Sequence, residues 1–107
     1  AMFVNLWEFH VKSGMEQMFE KVYGATGDWA SLFGKSPGYR GSRLVQDVAG
    51  GRRYFTLDYW ASRGEFEAFC KENEAAYTEL DKWCGSMTDS ERHLGEIETP
   101  GESSHES

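Results

Sequence analysis

Three side chains in this sequence combine acid–base or hydrogen-bonding chemistry with positions that a strand can present: His10, Asp58 and Asn5. An imidazole titrates near neutrality, so His10 can take up or release a proton, though a strand-end histidine can equally be a surface group that does neither. His93 admits the same two readings. Asp58 can accept a proton or orient His10, and it can equally form an ordinary cross-strand pair with Arg43 or Arg53. Asn5 can hydrogen-bond a ligand carbonyl or simply satisfy a backbone group. Trp7, Trp29, Trp60 and Trp83, with Tyr54, Tyr59 and Tyr77, offer walls for a flat aromatic ligand, although such residues also build cores. Met15 and Met18 give adaptable packing, and their helical spacing explains them as core too.

Other chemistries lack their residues. Three scattered histidines and two cysteines match no spaced metal motif. There is no glycine-rich phosphate loop, no G-x-S-x-G elbow and no C-x-x-C pair, which removes nucleotide, serine-hydrolase and dithiol readings. A length of 107 residues with 39% hydrophobic content supports one domain with one core. A formal net charge of −7 makes nucleic acid and anionic membranes poor partners. Its cations, Lys35, Arg40, Arg43, Arg52, Arg53 and Arg63, gather around a predicted hairpin, while Glu65, Glu67, Glu72, Glu74, Glu79 and Asp81 crowd a predicted helix. No apolar run approaches the ~20 residues that span a bilayer, and no basic-then-apolar leader opens the chain, so a cytoplasmic protein is expected. Ala1 ahead of Met2 reads as an expression remnant. Cys70 and Cys84 fall on one predicted helix, about 21 Å apart along its axis, and read as buried thiols.

These residues need elements to position them, and one unit recurs. An aromatic-rich strand runs into a helix-opening signal at Ser13-Gly14-Met15-Glu16 and again at Ser62-Arg63-Gly64-Glu65. The first strand is read over 3–11, with Phe3, Asn5, Trp7, Phe9 and Val11 on one side and Val4, Leu6, Glu8 and His10 on the other. Met15, Met18, Phe19, Val22 and Tyr23 recur as one helical face. A break is expected between Gly24 and Asp28, with Asp28 capping a short helix that Pro37-Gly38 ends. Segments 39–48 and 52–60 read as a hairpin, with a bulge at Gly41. Phe66, Phe69, Cys70, Tyr77, Leu80, Trp83 and Cys84 form the stripe of one second helix, stopped at Gly85. Thr88-Asp89-Ser90-Glu91 reads as a helical turn before a last strand over 92–98.

The order β-α-β-β-α-β is that of an α+β, ferredoxin-like split sandwich, placed over residues 2–98, and the polar stretch 99–107 is expected to be a disordered tail. Two helices cover one sheet face only. The large apolar side chains on the other face therefore predict a homodimer packed sheet to sheet.

Gly27-Asp28-Trp29, Leu32-Phe33, Ser36-Pro37-Gly38-Tyr39, Tyr59-Trp60-Ala61-Ser62, Phe66, Phe69 and Leu94-Gly95-Glu96, in this order, resemble the antibiotic biosynthesis monooxygenase domain of the dimeric α+β barrel superfamily. The resemblance covers residues 3 to about 98 and rests mostly on architectural positions. It implies a ligand pocket between sheet and helices, here taken to be lined by Trp7, Met18, Trp29, Phe69 and Tyr77. Characterised relatives include cofactor-independent oxygenases of anthrones or quinols and heme-degrading enzymes. The heme-degrading branch uses an Asn on the first strand and a Trp and a His on the second helix. Trp7, Phe69 and Glu79 stand at those places here, and a glutamate is no neutral nitrogen ligand for iron. The anthrone-oxidising branch pairs a strand-end Trp, matched by Trp60, with polar groups that ionise or orient a phenol, for which His10, Asp58 and Asn5 are the candidates. The implied activity is monooxygenation of a small phenolic or quinol substrate with no cofactor and no metal. The alternative is a dimeric barrel that holds a small hydrophobic ligand, or acts as an accessory subunit, without turnover.

Overall fold

The structure, a computed structural model, describes residues 1–100. Four strands form one antiparallel sheet: β1 (Phe3–Val11), β2 (Tyr39–Gln46), β3 (Arg53–Trp60) and β4 (Thr88–Glu98), in the order β2-β3-β1-β4. That is the ferredoxin-like arrangement, with the first strand between the third and the fourth. Helices α1 (Glu16–Tyr23), α2 (Asp28–Phe33), α3 (Arg63–Glu72) and α4 (Glu74–Cys84) complete the chain, and a 3-10 turn (Gly85–Met87) leads into β4. No helix among the described residues is long and apolar enough to cross a membrane.

Register fixes which side chains meet. Asn5 pairs with Asp58 and Glu96, Trp7 with Thr56 and His93, and Phe9 with Tyr54 and Glu91. Because strand side chains alternate, these residues share the face under the helices, and their neighbours Val4, Leu6, Glu8 and His10 share the other. The core beneath the helices is aromatic. Trp60 and Phe19 are fully buried, and Phe33 sits against Trp60 and Phe69 at centroid distances of 5.4 and 5.3 Å. Gly41 takes a positive φ of 111° where the β2–β3 register shifts, as a bulge requires.

Several expectations need correcting. Ser62 does cap α3, its Oγ accepting from the Glu65 N–H at 3.2 Å, but Ser13 caps nothing. Instead Gly14 turns at φ 88°, Glu16 accepts from the Gly14 N–H, and α1 starts two residues later than the motif implies. Gly27, not Asp28, occupies the cap position of α2. The second helix is two helices: Asn73 (φ −122°, ψ 28°) leaves helical geometry, and its amide Nδ2 donates to the Phe69 carbonyl. Cys70 and Cys84 thus lie on different helices, both as free thiols. Thr88-Asp89-Ser90-Glu91 is already strand, paired to β1, and the helical turn comes before it. Trp83 points away from the core and is 51% exposed. The predicted tail lies outside the described residues from position 101 onward.

Candidate functional site

A cavity lies between the sheet and the helices. Its inner compartment of about 50 Å³ is walled by Trp7, Phe9, Tyr23, Trp29, Phe33 and Tyr77, with Thr56, Asp58, Asp81 and Glu91 as its polar lining. A second compartment of about 220 Å³ shares Trp7, Phe33, Asp58 and Tyr77 and adds Asn5, Phe66, His93 and Glu96. The wall is built by stacking across elements: Trp29 of α2 meets Tyr77 of α4 edge-on at 5.1 Å, and Trp7 of β1 meets His93 of β4 at 4.8 Å. The helix break at Asn73 starts α4, on which Tyr77 and Asp81 are carried.

Asp58 borders both compartments. Its Oδ1 accepts from Ser42 Oγ at 2.7 Å, and Ser42 in turn lies 2.5 Å from the Tyr39 hydroxyl. Among the described residues no donor reaches Oδ2. Burial pushes the Asp58 carboxyl up to about 6, and the Ser42 hydrogen bond opposes that rise. On the neighbouring strand Asn5 pairs with Asp58, and His93 Nε2 lies 3.2 Å from Asn5 Oδ1, so the Nε2–H tautomer donates to the amide oxygen. Burial also raises the Tyr77 phenol to about 12, with Cys70 and Asp81 adding to it, which keeps that wall a neutral donor. The Glu91 carboxyl is raised first by burial and then by Asp81.

The candidates named from the sequence divide. Asn5, Asp58, Trp7, Trp29 and Tyr77 come together at the cavity. Trp60 and Phe69, 0% and 1% exposed, stand behind it as packing, and the Trp60 indole N–H is buried without an acceptor. Met18 turns to solvent, 43% exposed. His10 lies on the open face, 3.8 Å from Glu8, and does not reach the cavity. The expected Asp58–Arg pair does not form, because residues 43 and 53 project from the opposite face; Arg53 instead binds Glu8 at 2.6 Å and Asp47 at 3.1 Å. Glu79 lies on the outer side of α4 with Ala75, Ala76 and Trp83, away from the cavity.

Sequence reasoning did not pick out Ser42, Thr56, Asp81 or Glu91, and gave His93 no preference over His10. The strand alternation that groups His93 with Glu91 was hidden by reading 88–91 as helix. Counting back from the β1 pairing would have put positions 91 and 93 on the faces of Phe9 and Trp7. Among the described residues no three His, Cys, Asp or Glu side chains converge in a metal-holding arrangement.

A ferredoxin-like sheet with an aromatic cavity under its helices is the class this geometry defines. The chain belongs to the antibiotic biosynthesis monooxygenase family, whose model matches residues 2–78. Among solved structures it is similar to a variant of SnoaB, a cofactor-independent oxygenase from Streptomyces nogalater, with a TM-score of 0.76, 15% identity and 94% of each chain covered. Protein SO0527 from Shewanella oneidensis is similar at a TM-score of 0.66 and 15% identity, over 90% of this chain and 88% of that one. PA3566 from Pseudomonas aeruginosa is similar at a TM-score of 0.66 and 10% identity, over 94% and 95%. No curated protein matches the sequence.

Proposed function

We propose that the protein is a cofactor-independent monooxygenase of small phenolic or quinol-type aromatics, working as a sheet-to-sheet homodimer. One observation carries the reading: a half-satisfied carboxylate, Asp58, faces an aromatic cavity with a second polar pair, Asn5–His93, beside it on the same sheet face. An all-apolar cavity would have favoured a binding role; converging polar groups favour chemistry. The volume favours a small ligand, since an apolar cavity of about 150 Å³ holds one benzene ring.

Asp58 Oδ2 accepts the phenolic proton, and the phenolate passes one electron to dioxygen. Radical and superoxide combine to form a C–O bond at a ring carbon bearing hydrogen. The peroxide anion takes the proton back from Asp58, and the resulting hydroperoxide loses the ring hydrogen and its outer oxygen as water, leaving a quinone carbonyl. A phenol plus dioxygen thus gives a quinone plus water, with all four electrons supplied by the substrate. The Asn5 amide Nδ2–H, its Oδ1 held by His93 Nε2–H, donates to the developing carbonyl oxygen, and the aromatic walls exclude bulk water.

The test is oxygen uptake by metal-free protein with a panel of phenols, naphthols and quinols, together with product identification. Uptake above the no-protein rate is expected, and it should fall about 100-fold or more in Asp58→Asn. No uptake across the panel, or an undiminished rate in that variant, would overturn the reading.

A further inference from the structure

The charged lining of the inner compartment has one sign. Asp58 lies on its floor, Asp81 of α4 and Glu91 of β4 are exposed at its edge, and no Lys or Arg borders the inner compartment. Among the described residues none of these three carboxylates has a cation within 4.0 Å. Glu96, the remaining acid of the larger compartment, is already held by Arg63. The walls between these acids are the π-faces and edges of Trp7, Trp29 and Tyr77. Aromatic rings with carboxylates and no Lys or Arg between them are the surroundings that attract an organic cation. The unpartnered Asp58 Oδ2 independently leaves room for a donor in the cavity.

The mechanism sharpens the point. A phenolate formed beside Asp81 and Glu91 would be repelled by both, unless the substrate carries its own positive charge to offset them.

Building on the oxygenase reading, we propose that the substrate is a hydroxyarene bearing a cationic nitrogen. Its ammonium group sits between Asp81 and Glu91 against the indole and phenol rings, and its hydroxyl donates to Asp58 Oδ2. The acids also turn away carboxylated analogues of the same ring.

Three probes sharing one ring separate charge from shape: 4-hydroxyphenethylamine, 4-ethylphenol and 3-(4-hydroxyphenyl)propionate. Binding to the purified full chain is followed without oxygen, by quenching of tryptophan fluorescence at neutral pH. The cation should bind about tenfold more tightly than the neutral phenol, and the anion more weakly than either. The cation's advantage should shrink in high salt and disappear in the Asp81→Asn/Glu91→Gln double variant, whose fold is checked by circular dichroism. Equal affinity for the cation and the neutral phenol, tighter neutral binding, or no binding of the cation would overturn the proposal. Cation selectivity without oxygen uptake would sink the oxygenase reading and leave the cation site standing as a binding site; uptake with neutral phenols only would keep the oxygenase reading and overturn the cation site.

Discussion

An ionised carboxyl at position 58 costs the fold stability, because its folded value of about 6 lies above the ordinary 3.8. Between those two values the folded state holds the proton more tightly than the unfolded chain does, so this group's contribution to stability falls as pH rises through the window and is level outside it. The linkage amounts to at most about 3 kcal/mol. Asp58→Asn should therefore match the parent near pH 3.5 and exceed it by about 1–3 kcal/mol at neutral pH, measured by urea unfolding across the range. A stability difference between parent and variant that stays flat between pH 4 and 6 would refute this assignment. If Asp58 is the base, kcat/KM should rise with pH through about 6. Ser42→Ala removes the hydrogen bond that holds the value down, so that limb should move to higher pH, and Ser42→Thr should restore it. Asp58 and Asn5 were visible in the sequence because β1 and β3 alternate cleanly. The choice between His10 and His93 was not, since it turns on side-chain parity in two strands, and the first residues of β4 read as a helical turn.

At the scale of elements, two look-alike motifs have different physics. Ser62 enters α3 with extended backbone, so its hydroxyl can reach the Glu65 N–H; Ser13 precedes a left-handed glycine that sends the chain into α1 by another route. Ser62→Ala should cost about 1 kcal/mol and Ser13→Ala close to nothing, by the shift in denaturation midpoint. Equal costs would mean that Ser13 caps after all. Gly27 packs so closely on the end of α1 that an added Cβ would lie 2.3 and 2.4 Å from the carbonyl oxygens of Lys21 and Val22. Backbone cannot swing aside as a side chain can, so Gly27→Ala should destabilise by about 2 kcal/mol or more and loosen α2, which carries Trp29. The sequence announced this break through Gly24 and Gly27. It did not announce the one at Asn73, where no Gly or Pro stands and an apolar stripe continues across the junction. There the polar side chain competes for the backbone carbonyl, a contact that periodicity does not register.

On the whole molecule, the face away from the helices carries Leu6, Phe55, Leu57 and Tyr59 partly exposed, with Val45 and Ile97 at 42% and 47%. At one end of this apolar field Glu8, its side chain only 8% exposed, is held by Arg53 at 2.6 Å and Arg92 at 3.2 Å. A lone buried carboxylate would resist being covered, whereas one already compensated by two guanidinium groups can be enclosed without stranding a charge. The face can therefore close against a second copy while the cavity, on the other side of the same sheet, stays open. Light scattering should give a mass twice 12.2 kDa at micromolar concentration. Leu57 pairs with Leu6 near the middle of the field, so Leu57→Arg would bring like charges together across a two-fold axis and should yield monomer. Because Leu57 and Asp58 point to opposite faces, that monomer should keep the cavity's ligand affinity if one chain builds the whole site. A parent that is monomeric, or a Leu57→Arg variant that still dimerises, would show that another surface joins the subunits. Loss of ligand binding in a folded monomer would show instead that the second subunit completes the cavity wall.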